Sequence, residues 1–444
     1  MHRRSFLAQT TTAAAGLVIL PSGALAGATA PSNKLNIALI GVYGRTYRLY
    51  DSLAHQNVAA VCDIREDHIA LALERFPGAK TYVDWRKCLE QKDLDAVVIC
   101  TTDQTHAMIA IWAMNRGLHV YCEKPIAISV GEARALREKF LANKGRIATQ
   151  AGTQLNTNAN FNRIREMIHD GAIGELQEVR AWGDRKIPRD GYLPAMGTPP
   201  PGLHYDLWLG PAPERPYNPG YFDAERPGSN CLNWNMFWDF GAGQAGDMGS
   251  HTMDMVWKVI DATLPTRIQA SGEAFHPDVT PVEMEAHFHH PANDWRGPIR
   301  VSWYQGGAMP RSPRPLIDLT KIGHGCMFRG SRGFLIADFN SRTLIPFGDD
   351  ADLTYYKPRP KSEITPPEKN IMEQWFDACK DPSLATNCNF EYGTHMIEQQ
   401  LLGLVAYRAG AEIEYDPASG RITNHEEANT HLHRTYRDGW PLDA

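Results

Sequence analysis

Three short stretches carry side chains whose types and spacing suit chemistry on a small polar molecule. Glu123-Lys124-Pro125 closes an apolar run and sets a carboxylate beside an ammonium. Asp247 and His251 stand four residues apart in the run 238–251, which puts them on one face of a helix. Alone, such a pair is more often a cap and a surface histidine; its company is what raises it. The third stretch is the turn Gly41-Val42-Tyr43-Gly44-Arg45-Thr46, followed 22 residues after Gly41 by Asp63. A dinucleotide fingerprint asks for glycine at the first, third and sixth places of that turn. Gly41 fills the first, Tyr43 and Thr46 stand at the others, and Gly44 is extra. The second glycine normally lets backbone approach a pyrophosphate. Tyr43 therefore leaves three alternatives: a ring that turns away, a dinucleotide that sits differently, or one that is not bound. Asp63 ends the second strand, where a carboxylate bonds ribose hydroxyls and repels a 2′-phosphate. This favours NAD over NADP, although Arg65 is close enough in sequence to pair with a phosphate.

The elements that must position these residues follow from the apolar rhythm. Strands are predicted at 35–40, 58–62, 81–83, 96–100, 118–121 and 147–151. Helices alternate with them at 45–54, 66–76, 85–91, 105–115 and 130–141. Short β-rich runs alternating with helices give a parallel, doubly wound sheet, here over residues 35–152. In such a sheet the end of the fifth strand, where Glu123 and Lys124 lie, borders the ligand crevice. The rhythm changes over 153–444. Helices are predicted at 160–170, 247–259, 368–378 and 392–409. Strand-like runs fall at 176–182, 267–271, 282–289, 299–304, 326–329, 333–338, 343–346 and 413–415. This is an α+β domain with a largely antiparallel open sheet, its C-terminal helices free to pack back on the first domain. The Pro/Gly-rich stretch 187–229 is long enough to be functional.

Composition bounds the rest. The chain has 444 residues, 43% hydrophobic and 22% charged, ordinary for a soluble globular protein. A net charge of −6 argues against a nucleic-acid partner. Residues 1–26 read as a twin-arginine export signal: Arg3-Arg4-Ser5-Phe6-Leu7, an apolar run to Leu20, and the small-residue site Ala24-Leu25-Ala26. The apolar run is too short for a permanent membrane span. Residues 27–34 are a linker. The expectation is a periplasmic or otherwise exported protein that engages the export machinery. The eight cysteines show no metal-ligand spacing, so no metal is expected. A disulfide among Cys231, Cys326, Cys379 and Cys388 stays open.

At these residues the chain resembles the Gfo/Idh/MocA family of oxidoreductases, from about Leu35 to Tyr415. Thr101-Thr102-Asp103-Gln104-Thr105-His106 is similar to the family's loop after the fourth strand, with Thr102 for the usual proline. Gly171-Ala172-Ile173-Gly174 is similar to its turn before the first strand of the second domain. The resemblance implies that Gly41, Tyr43, Gly44, Arg45, Asp63, Thr101, His106 and Glu123 face NAD. It implies Lys124 on the reacting hydroxyl, Asp247 contacting substrate and supporting His251, and His251 as general base. The chemistry is consistent, because imidazole titrates near neutrality and a nearby ammonium steadies a developing alkoxide. Gln154, Trp182, His204, Tyr205 and Trp234 are candidate sugar contacts. The implied activity is oxidation of a sugar or cyclitol hydroxyl by a homo-oligomer. Two alternatives stand beside it: a redox-neutral glycosidase or lyase with tightly held NAD, and a carbohydrate-binding relic without catalysis.

Overall fold

The computed structural model describes residues 33–348, 353–357 and 359–443. The expected signal, residues 1–26, lies outside the described residues. Strands β1 (Asn36–Ile40), β2 (Asn57–Cys62), β3 (Lys80–Tyr82), β4 (Ala96–Ile99), β5 (His119–Cys122) and β6 (Thr149–Ala151) form one sheet in the order β3-β2-β1-β4-β5-β6. Every pairing is parallel. All four residues of β4 are buried, because helices cover both faces of a parallel sheet. Strand order reverses between β1 and β4, and ligands bind outside the carboxyl ends at such a switch point. Helices α1 (Tyr50–Leu53), α2 (Glu66–Arg75), α3 (Trp85–Cys88), α4 (Asp103–Asn115) and α5 (Val130–Ala142) make the crossovers. The helix expected over 45–54 is instead a 3-10 turn, Thr46–Leu49, running into the short α1. Two side chains fasten this region to the glycine turn: the Thr46 hydroxyl donates to the Gly41 carbonyl, and Tyr50 donates to Val42 O at 2.6 Å.

After α6 (Ala159–His169) comes the second sheet. Its strands are β7 (Leu176–Gly183), β8 (Arg267–Gly272), β9 (Met284–His290), β10 (Ile299–Gln305), β11 (His324–Gly330), β12 (Gly333–Ala337), β13 (Arg342–Pro346), β14 (Ile413–Asp416) and β15 (Arg421–Ile422). The order is β13-β12-β11-β7-β10-β9-β8-β14-β15. Only the β7–β10 pairing is parallel, so the sheet is mixed but mostly antiparallel. The short helix α7 (Tyr205–Leu209) interrupts the Pro/Gly-rich stretch, and α8 (Cys231–Trp234) follows it. Helix α9 (Gly243–Ile260) is buried along nearly its whole length, between the sheet and α11 (Phe390–Ala409); α10 (Ile371–Lys380) precedes α11. Helix α9 starts at Gly243, four residues before the expected start, so Asp247 and His251 sit inside a buried helix rather than at its exposed end.

Helix α11 packs on α5 of the first domain and on the second sheet, tying the halves together. Arg137 of α5 meets Glu398 of α11 at 2.6 Å, and Tyr415 donates to the same carboxylate. The Pro/Gly-rich stretch adds a second tie: Glu66 N–H donates to Gly202 O at 2.9 Å, and His204 N–H donates to Ile64 O at 2.8 Å. All eight cysteines are free in this structure, Cys231, Cys326, Cys379 and Cys388 among them. Among the described residues, no helix is long and apolar enough to cross a membrane.

Candidate functional site

The cleft begins at the switch point. Gly41 has φ of +80°, and a Cβ there would lie 2.5 Å from Cys100 O. Only glycine lets β1 and β4 close at this point. Asp63 accepts Val42 N–H at 2.9 Å through Oδ2 and Arg65 N–H at 3.0 Å through Oδ1, so its carboxylate is fixed at the end of β2. From Asp63 a cavity of about 290 Å³ runs past Gly41, Tyr43, Gly44 and Arg45 to Thr101, His106, Glu123, Lys124 and Asp247. The ring of Tyr43 stacks on His68 of α2, with centroids 4.2 Å apart. It is turned toward the Asp63 end of the cleft. Arg45 reaches across to Glu123 at 2.9 Å, and Tyr121 donates to the same carboxylate oxygen at 3.0 Å. Glu123 leaves so little room above Gly152 that a Cβ there would meet its Oε2 at 2.6 Å. The two ring nitrogens of His106 face Pro125 O (2.8 Å) and Thr101 O (3.1 Å), and burial lowers the ring's proton affinity against these two acceptors.

The features a dinucleotide needs are therefore present as a positive-φ glycine, a carboxylate at the end of β2, and a cleft leading to Lys124. One feature is additional. The backbone of Gly228 lies against the turn, 3.1 Å from the place a Cβ would take on Gly44. The Pro/Gly-rich stretch thus crosses the glycine turn as well as the end of β2.

At the far end, both domains contribute charge. The Lys124 ammonium bonds Asp247 Oδ1, and Arg185 donates to Asp247 Oδ2 at 2.7 Å. Burial pushes Asp247 toward protonation, but Lys124 and Arg185 outweigh it and hold the carboxyl below its usual range. Burial likewise disfavours the Lys124 charge, and Asp247 outweighs that, leaving Lys124 above its usual value. Both are ionised near neutral pH. His251 is held at about 3, by burial first and then by the like charge of Lys124, with Asp247 opposing. Its Nδ1 is buried and unpartnered. The expected support of His251 by Asp247 is not made through a hydrogen bond. Both Asp247 oxygens are taken by cations, so its help is electrostatic only.

Several of the expected sugar contacts fall elsewhere. Trp182 is fully buried in the sheet's own apolar cluster and donates its indole N–H to Ile322 O at 2.6 Å, so no face is left for a sugar. His204 pairs with Glu66 at 2.9 Å beside the end of β2, at the opposite end of the cleft from Lys124. Tyr205 stacks on Trp208 and donates to Pro216 O at 3.0 Å, within a cluster of aromatic side chains. Gln154 lies in a 3-10 turn packed against α9, outside the cleft lining. Trp234 lines the cleft.

The sequence reading missed four neighbours. Arg185 follows β7 and has no motif. His324 and Phe339 come from distant parts of the chain; the Phe339 ring lies 6.4 Å from His251 and 6.2 Å from His324. Asp103 stood in the quoted Thr101–His106 stretch, so a signal existed. It is a buried carboxyl on the first turn of α4, pushed well up by burial and lining the cleft with Lys124.

Comparison with known proteins agrees with this architecture. Residues 35–151 match the Gfo/Idh/MocA description "Oxidoreductase family, NAD-binding Rossmann fold", and residues 190–289 match "Oxidoreductase family, C-terminal alpha/beta domain". An inositol 2-dehydrogenase of Salmonella typhimurium is 30% identical over 145 residues, 32% of this chain and 43% of that protein. A glycosyl hydrolase family 109 protein of Stenotrophomonas maltophilia is 30% identical over 199 residues, 41% of this chain and 42% of its own. The matches span less than half the length of these relatives. Among solved structures, levoglucosan dehydrogenase in complex with NADH and levoglucosan is similar at a TM-score of 0.56 and 18% identity, over 86% of this chain and 99% of that one. The WlbA dehydrogenase of Bordetella pertussis, with NADH and UDP-GlcNAcA, gives 0.58 and 16% over the same shares. At these identities the structures speak for the fold.

Proposed function

We propose that this chain, whose residues 35–151 and 190–289 match the two Gfo/Idh/MocA oxidoreductase domain descriptions, oxidises a secondary hydroxyl of a sugar or cyclitol with NAD. The observation that carries the reading is the meeting of Lys124, from the end of β5, with Asp247 on α9, one turn from His251. Gly41, Gly44 and Arg45 would hold the diphosphate and Asp63 the adenosine ribose; Thr101, His106 and Glu123 border the remainder. The bound dinucleotide would supply a two-electron hydride acceptor.

This chain's own groups do the rest. The Lys124 ammonium donates to the substrate oxygen and lowers its proton affinity. The hydroxyl proton passes to the His251 imidazole, which is neutral and able to accept it. Asp247 keeps Lys124 charged, so the alkoxide forms against a fixed cation in a water-poor site. Among the relatives, the inositol and levoglucosan dehydrogenases support a polyol or sugar substrate. The test is reduction of added NAD by a panel of cyclitols and sugars, with His251→Ala as control. Turnover by wild type that falls at least 100-fold in the variant, with NAD binding kept, supports the reading; equal turnover in both removes His251 from it.

A redox-neutral second reading has its own observation, the crossing of the glycine turn by Gly228 and of the β2 end by residues 202–204. A segment lying there retains a dinucleotide between turnovers, and retention suits a protein exported already folded. Denaturing the purified protein and assaying released nicotinamide tests this. One equivalent released, without turnover of added NAD, favours it. Export itself, by the twin-arginine route, is part of the proposal: Arg3→Lys with Arg4→Lys should keep the protein in the cytoplasm. Assembly through the open sheet face is proposed as well, and sedimentation would read it.

A further inference from the structure

Beside Lys124 and Asp247, the cleft wall carries polar groups that nothing in the protein satisfies. Trp234, 4% exposed, ends α8 with its indole Nε1 buried and unpartnered. Asn235, 2% exposed, follows it with Oδ1 buried and unpartnered. No hydrogen bond to Asn235 Nδ2 is made by any other described residue. Both residues line the same cavity as Lys124, Asp247 and Cys231. Buried polar groups are nearly always bonded, so two adjacent exceptions on residues that line a cavity ask for a ligand.

Their position is rigid. Asn235 N–H donates to Cys231 O at 2.9 Å, and Asn235 O accepts Gly243 N–H at 2.9 Å. The loop before α9 is pressed so closely on this turn that a Cβ on Gly241 would lie 2.4 Å from Asn235 O. Backbone bonding is thus complete, and only the side chains remain open.

We propose that Trp234 and Asn235 form a subsite that reads an amide group on the ligand at the reacting end of the cleft. It deepens, and rests on, the oxidoreductase reading of this site. An amide carbonyl accepts the Trp234 indole N–H or the Asn235 side-chain N–H, and an amide N–H donates to Asn235 Oδ1. A primary carboxamide can use both ends of the Asn235 amide in parallel bonds, whereas a trans acetamido group donates its N–H to Asn235 Oδ1 and offers its carbonyl to the Trp234 indole N–H; a hydroxyl supplies only one such bond. Two sources offer this chemistry: the carboxamide of a nicotinamide ring, and an acetamido substituent on a sugar.

Calorimetric binding to the full chain separates them. One pair of probes is NAD and its 3-acetylpyridine analogue, which replaces the amide nitrogen by a methyl. The other is N-acetylglucosamine and glucose. Wild type should prefer the amide member of at least one pair by about tenfold or more, the cost of leaving one such group unpaired. Asn235→Leu and Trp234→Phe should each bring that preference down to about threefold or less. The pair that responds names the source. Because Trp234→Phe keeps the ring, it decides the matter if Asn235→Leu fails to fold. No preference in wild type for either pair, or a preference unchanged in the folded variants, overturns the subsite. Failure to bind any dinucleotide counts against the oxidoreductase reading instead, and the sugar pair then still decides the subsite.

Discussion

The sharpest consequence of this site concerns the proton affinity of His251. In water an imidazole takes up a proton near pH 6.5. Inside α9 that value falls to about 3, because the ring is 6% exposed and feels the like charge of the Lys124 ammonium. At about 1.4 kcal/mol per pH unit, this is roughly 5 kcal/mol in favour of the neutral ring. The ring should therefore stay unprotonated well into acid, and kcat/KM for a turned-over cyclitol should show no acid limb between pH 8 and pH 5; the same roughly 5 kcal/mol opposes proton uptake, so the alkoxide's bond to Lys124 must offset it when His251 acts as base. Direct measurement is possible by NMR of the imidazole carbons, with the His251 signal assigned by its loss in His251→Asn. Its shift should not move over that range. Linkage gives a second reading of the same quantity. A histidine whose folded value is depressed lends stability above its unfolded value, and that stability is lost as pH falls. Urea midpoints should thus decline below pH 6.5, more gently in His251→Asn than in wild type. An acid limb or an NMR midpoint for His251 at 6 to 7 would refute the argument. It would mean that the ring is hydrated, or that Lys124 does not approach it.

Three other expectations follow from the same contacts. Asp247→Asn leaves two cations without their shared carboxylate and should cost about 2–4 kcal/mol in chemical denaturation, discounted for the access Lys124 keeps to the cleft. The pair contributes above the unfolded carboxylate value near 3.9 and below the unfolded lysine value near 10.4, so the loss should be flat from about pH 5 to 10. In that variant burial acts on Lys124 without its main opposing charge, and the basic limb of the pH–rate profile should move to lower pH. Arg185→Met frees one Asp247 oxygen and should shift the carboxyl upward; a mid-acid limb absent from wild type is the readout. Gly41→Ala forces a side chain into φ of +80° against Cys100 O; a loss of about 2–4 kcal/mol in stability, with dinucleotide binding abolished, is expected.

What the sequence revealed and what it hid divide along physical lines. The parallel sheet was legible because its strands are continuous apolar runs bounded by turn residues, and β4 is buried on both faces. Glu123-Lys124-Pro125 and Asp247-x-x-x-His251 were legible because each is local in the chain. The helix expected over 45–54 failed for a reason no periodicity carries: Thr46 and Tyr50 spend their hydroxyls on the carbonyls of the preceding turn. Trp182 and Tyr205 misled because aromatic residues suit cores and sugars equally, and only packing decides between them. Arg185, His324 and Phe339 were silent because their roles come from tertiary neighbours on a second sheet.

The stretch 187–229 was recognised as too long to be a plain connection, but its purpose is visible only in three dimensions. Part of it ties Gly202 and His204 to the end of β2, and Gly228 lies on the glycine turn. The residues immediately beyond it bring Cys231, Trp234 and Asn235 to the Lys124 end of the cleft. One segment of the second domain thus spans the whole length of a groove built by the first. A dinucleotide in that groove would be bounded on one side by the carboxyl ends of parallel strands and on the other by this crossing chain. The same chain that would slow the cofactor's escape also carries the unpaired indole and amide at the reacting end. Retention and recognition would then be physically linked: a change that loosens the crossing at Gly228 should weaken selection at Trp234 and Asn235 as well, because both depend on how firmly the stretch is held against the first domain.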